Sequence, residues 1–117
     1  MRSVSLLPTP MLDIAALRKF RDGRFFATWD GHVPPESVET SERTVRSLVD
    51  SLIALGPAGS ESQVRQEVRQ CVERFNELDQ GWICTIERED ICDCLERIVE
   101  HCGIDASAEW IAENREW

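Results

Sequence analysis

Apolar residues recur along this chain at steps of three and four, the period of a helix with one buried face. Val45, Leu48, Val49, Leu52 and Leu55 set a helix over about 36–55. Val64, Val68, Cys71, Phe75 and Leu78 set a second apolar seam, stepping by four, three, four and three. Gly56-Pro57-Ala58-Gly59 breaks the pattern between them, and Ser60 with Gln63 forms a capping box that restarts it. A link this short predicts antiparallel packing of the two helices.

A third amphipathic segment covers 85–103. Thr85 is a helix-starting hydroxyl, Glu87, Glu89 and Asp90 suit the positive end of the helix dipole, and Gly103 supplies a left-handed stop. Thr9-Pro10 predicts the start of an N-terminal helix reaching about Arg21, and a last helix is expected over roughly 106–114. Phe25, Ala27 and Trp29 alternate between them, which reads as a short extended connector over 24–29 with no strand to pair with. Asp30-Gly31 and Pro34-Pro35 make 30–35 a turn-rich loop. The prediction is an all-α, single-domain bundle of four to five helices over 1–117, with residues 1–9 loosely ordered and helices two to four at its centre.

The two faces of 85–103 differ in kind. At about 100° per residue, Ile91, Leu95, Ile98 and Cys102 share one side, while Glu89, Asp93, Glu96 and Glu100 line up almost opposite. Like charges at i,i+4 cost a helix roughly 0.2–0.5 kcal/mol per pair, so this row does not serve the helix unless something basic meets it.

The totals sharpen that picture. The chain of 117 residues is 42% hydrophobic and 30% charged, which fits one globular core, and no apolar run reaches the length of a membrane span. Val4, Leu6 and Leu7 before Pro8 are too few for a secretory segment, so a cytoplasmic protein is expected, and its five cysteines are expected to be reduced thiols. Net charge is −9 and uneven: the first 24 residues, with Arg2, Arg18, Lys19, Arg21 and Arg24 against Asp13 and Asp22, carry +3. The acidic remainder disfavours nucleic acid, whose phosphates need clustered cations, and favours a basic protein partner. The basic N-terminal segment could instead fold back on the acidic row and neutralise it.

Specific chemistry is sparse. Gly81, Ile83 and Glu87, with Asp79 ahead of the glycine and Phe75 four residues before Asp79, resemble the second half of an EF-hand over about thirteen residues. That family places acidic or amide ligands at the first, third and fifth loop positions, whereas only Gln80 separates Asp79 from Gly81 here. Two carboxylates stand where six or more oxygens are needed, so the segment is read as a tight turn that anchors Trp82 and Ile83. Cys92 and Cys94 lie about 200° apart on one helix and cannot share an ion. Cys94 and His101 do share a flank, and a thiol–imidazole metal site would need Cys84 or Cys71 to complete it.

Asp30 and His32, in a loop close after Trp29, are the best acid–base candidates, and a hydrolase or lyase centred on them is the weakest of three readings. The metal-binding protein is the second. The first is a protein–protein interaction module, of adaptor or acidic-inhibitor type, needing no cofactor. It would act through Glu89, Asp93, Glu96 and Glu100, with Trp110 and Trp117 as aromatic anchors. Trp117, last in the sequence, is expected to fray unless a neighbour holds it, and a homodimer is left open.

Overall fold

A computed structural model describes residues 11–104, 108–111, 113 and 115–117. The described chain is all-helical: α1 (Ile14–Arg21), α2 (Pro35–Leu55), α3 (Glu61–Leu78), α4 (Thr85–His101) and the single turn α5 (Ala108–Ile111). The expected loose order of 1–9 and the Thr9-Pro10 helix start lie outside the described residues. The helix begins at Ile14, where the Asp13 carboxylate accepts the amide of Ala16 at 3.0 Å.

Local chemistry fixes the α2–α3 hairpin. Pro35 opens α2, where its missing N–H is no loss, and Gly56 ends it at φ 78°. Ser60 Oγ accepts from Gln63 N at 3.1 Å while Gln63 Oε1 accepts from Ser60 N at 2.9 Å, so both orphan donors at the start of α3 are answered. The two helices pack along their lengths, α1 lies against α2 and α4, and α5 touches α3 and α4. Val45, Val49, Leu52, Val64, Val68, Phe75, Ile91, Leu95 and Ile98 form the shared core.

Gly103 closes the end of α4 for a steric reason as well as a conformational one. Its φ is +73°, and an added Cβ would stand 3.1 Å from the carbonyl oxygen of Met11. The chain there is held tightly, since Asp13 N donates to the carbonyl of His101 at 2.8 Å and Leu12 N to that of Pro57 at 3.2 Å.

The 24–29 segment departs from the expected extended connector. Residues Ala27–Trp29 form a 3₁₀ turn, and the paired aromatics are Phe26 and Trp29 rather than Phe25, Ala27 and Trp29. In a 3₁₀ turn side chains three apart eclipse, and these rings stack at 4.1 Å between centroids with 12° between planes. Both are fully buried and meet Phe75 and Trp82 edge-on. The segment is a core plug. Period-two reading failed because the anchors that hold it, described next, come from distant helices.

Candidate functional site

A buried carboxylate and a half-buried one seat the plug, and a second buried carboxylate fixes where α4 begins. Glu42 of α2, 8% exposed at its side chain, accepts the amides of Phe25 at 3.1 Å and Phe26 at 2.9 Å, together with Arg24 Nε at 3.1 Å. Asp90 of α4 accepts Trp29 Nε1 at 2.9 Å. Glu87 reaches back to Cys84 N at 2.8 Å, which makes Cys84 the residue preceding the helix and Thr85 its first residue, not its cap. The same carboxylate takes His32 Nε2 at 3.1 Å. None of these three roles was read from sequence. Glu42 offered a signal, because it lies on the α2 face that carries Val38, Val45 and Val49.

With α4 so placed, Ile91, Leu95, Ile98 and Cys102 are buried, as their spacing requires. Glu89, Asp93 and Glu100 are exposed and Glu96 is partly exposed. None of the four makes a hydrogen bond or ion pair among the described residues. The row spans twelve residues of α4, a rise of about 16 Å along the helix. Ile86 stands at its head, 64% exposed, the one large apolar side chain besides Met11 that the described surface leaves this open. At 100° per residue Ile86 falls on the acidic side, so helical spacing alone accounts for its exposure.

No residue of the basic N-terminal segment makes an ion pair with this row among the described residues, although Lys19 and Arg24 line one cleft with Asp93 and Arg97. Arg21 pairs with Asp50 at 2.9 Å, and Arg24 pairs with Asp30 at 3.1 Å and Glu42 at 3.1 Å. Both guanidiniums are thereby held above their ordinary pKa, chiefly by hydrogen bonds to these acids.

The other candidates separate. Asp30 faces Arg24 and His32 faces Glu87, so the two expected acid–base partners do not form a dyad. Cys84 and His101 lie at opposite ends of α4, about 25 Å apart by helical rise. Cys71 and Cys94 are buried, and no three His, Cys, Asp or Glu side chains converge on a metal position among the described residues. The four-residue ligand set is therefore not assembled. Burial pushes the Cys94 thiol up to about 12 and Cys102 to about 11, and raises Cys71 as well, with Cys94 beside it adding to the effect.

The tryptophans are corrected too. Trp117 is 8% exposed, meets Phe75 edge-on at 6.1 Å and lies under the Arg115 guanidinium at 5.2 Å. Arg88 Nε donates to its carbonyl at 3.2 Å. It is a core residue and neither frays nor offers a surface. Trp110 is half-buried, with the Arg65 guanidinium 4.7 Å from its ring centre. The interhelical turn matches its expectation: Asp79 Oδ1 accepts from Gly81 N at 3.0 Å, Gly81 has φ 93°, Ile83 is buried and Trp82 half-buried.

The chain matches no protein-family model, no curated protein and no solved structure. No described helix is long and apolar enough to cross a membrane.

Proposed function

We propose that this protein is an interaction module whose working surface is the outer face of α4, where Ile86, Glu89, Asp93, Glu96 and Glu100 receive a basic segment of another protein. The observation that carries this reading is the row itself: four carboxylates in line, none ion-paired among the described residues, behind one exposed isoleucine. Such a row raises the local concentration of a cationic partner and steers it on approach. Ile86 supplies the apolar contact that charge alone lacks, since binding energy concentrates in a few desolvated side chains. Trp117 is withdrawn from the partner surface because it is buried, and Trp110 is left in place as a flank of α3 and α5.

The test is affinity capture with two variants of equal charge. One reverses Glu89, Asp93, Glu96 and Glu100 to Lys; the other, the remote variant, reverses Glu36, Glu73, Glu77 and Glu116, all exposed and outside α4. Each brings the net charge from −9 to −1. The expected outcome is a set of basic proteins retained by the wild type and the remote variant and lost from the α4 variant, with Ile86→Ala weakening the same set about tenfold. Equal retention by all forms, or equal loss from both reversals, refutes the reading.

A further inference from the structure

A different face holds the converse chemistry. Between α2 and α3 runs an open groove of about 480 Å³, bordered by three arginines, Arg43, Arg46 and Arg74, and by the hydroxyls of Thr40, Thr44 and Ser47. Its volume lies in the range of small-molecule sites. No residue of the α4 row borders it. In a chain of net charge −9, three guanidiniums around one groove are a local reversal of sign. Asp50 is the acid among the lining residues, and Arg21 holds it at 2.9 Å.

The donors are unequally committed. Arg74 is exposed and makes no hydrogen bond or ion pair among the described residues. Arg46 is fixed in place: Nε donates to the carbonyl of Arg21 at 3.3 Å, one terminal nitrogen donates to that of Gly23 at 3.2 Å and pairs with the buried Glu42 carboxylate at 3.7 Å, and the guanidinium stands 5.2 Å from the centre of the Phe25 ring. Its other terminal nitrogen stays open in a pre-set orientation, which lowers the ordering cost of binding. Arg43 holds Glu39 at 3.0 Å, but this is an exposed pair, of a kind worth little in water and readily exchanged for a better anion. Thr40 and Thr44 donate their hydroxyl protons to the carbonyls of Glu36 and Thr40, each at 2.8 Å, so neither is a free donor. Ser47, one turn beyond Arg43, makes no hydrogen bond among the described residues and keeps its proton.

Guanidinium forks match the oxygens of phosphate and carboxylate alike. The Arg74 fork, the open nitrogen of Arg46, the exchangeable Arg43 and the Ser47 hydroxyl border one groove; together they offer more donors than the two oxygens of a carboxylate take up and suit the three terminal oxygens of a phosphate monoester. We infer that the α2–α3 groove binds the phosphate group of a small phosphorylated molecule, with Arg74 and Arg46 as its principal contacts, Arg43 recruited from Glu39, and Ser47 donating a hydrogen bond.

Inorganic phosphate is the probe, titrated into the full chain at constant ionic strength and followed by ¹H–¹⁵N spectra of the Ser47 amide and the arginine Nε–H groups. Arg69→Gln is the control, an exposed arginine on α3 outside the groove, so that it and Arg74→Gln change the charge equally. The expected result is saturable shifts confined to the groove, weakened about tenfold by Arg74→Gln and less than twofold by Arg69→Gln. Shifts that do not saturate, or equal weakening by the two variants, would overturn the assignment. Both substitutions are on the surface, and the unperturbed remainder of each spectrum reports that the variant is folded.

Discussion

Glu42 answers three donors at once, and two of them are backbone amides of a plug with no helix or strand to satisfy them. Removing the carboxylate leaves buried N–H groups without acceptors, the costly side of hydrogen-bond energetics. Glu42→Ala should therefore destabilise the fold by about 3 kcal/mol, and Glu42→Gln, which keeps one acceptor oxygen, by less than half of that. Urea denaturation monitored by tryptophan fluorescence measures both, and an Ala variant within 0.5 kcal/mol or so of wild type would contradict the role assigned. The buried thiols make a second prediction at this scale. An unfolded thiol ionises near 8.5, whereas Cys102 and Cys94 in the fold do so at about 11 and about 12. Their folded values are raised, so their contribution is complete below about pH 8.5 and is withdrawn as pH climbs through the interval to 11–12. The unfolding free energy, and the urea midpoint with it, should fall between pH 7.5 and pH 10, by about 2 kcal/mol per thiol, and Cys94→Val should flatten the fall. A midpoint independent of pH in that interval would show that the thiols are not shielded.

Helices whose ends are written in local chemistry were legible in the sequence. Gly56, Ser60 and Gln63 mark the end of α2 and the start of α3 because each acts on its own neighbours, whereas Pro35, read as part of the 30–35 loop, is the first residue of α2. The 24–29 segment was not legible, since the groups that shape it, Glu42 and Asp90, lie 16 and 61 residues away from the atoms they hold. The start of α4 moved by one residue for a related reason: Glu87 reaches the amide of Cys84, and a hydroxyl at Thr85 is not needed. The acidic row was legible as a row, but its freedom from internal ion pairs depended on where Arg21 and Arg24 go. That row contains the like-charged i,i+4 pairs Glu89–Asp93 and Glu96–Glu100, each unfavourable by a few tenths of a kcal/mol. Asp93→Asn with Glu100→Gln should stabilise the protein by about 0.5 kcal/mol at low salt while weakening partner capture. Stability gained together with binding lost is the signature of a face kept for recognition. A double variant less stable than wild type would mean that the row supports the fold after all.

At the scale of the whole molecule, charge is sorted by face. The α4 face presents four carboxylates and an isoleucine with Arg97 at their edge, and the α2–α3 groove presents three arginines and a serine with Asp50, in a chain whose net charge is −9. On the proposed reading a cationic partner meets the first and a phosphorylated small molecule the second, and no residue lines both. Association at α4 should slow as ionic strength rises, because screening shortens the reach of the row to about 8 Å in physiological salt. The most direct test of the α4 assignment is carbodiimide labelling of carboxylates, read residue by residue by mass spectrometry, on the free protein and on complexes captured from lysate. The account predicts that Glu89, Asp93, Glu96 and Glu100 lose labelling on capture while Glu36, Glu73 and Glu77 keep theirs. Undiminished labelling along α4, with protection at the remote carboxylates instead, would contradict it.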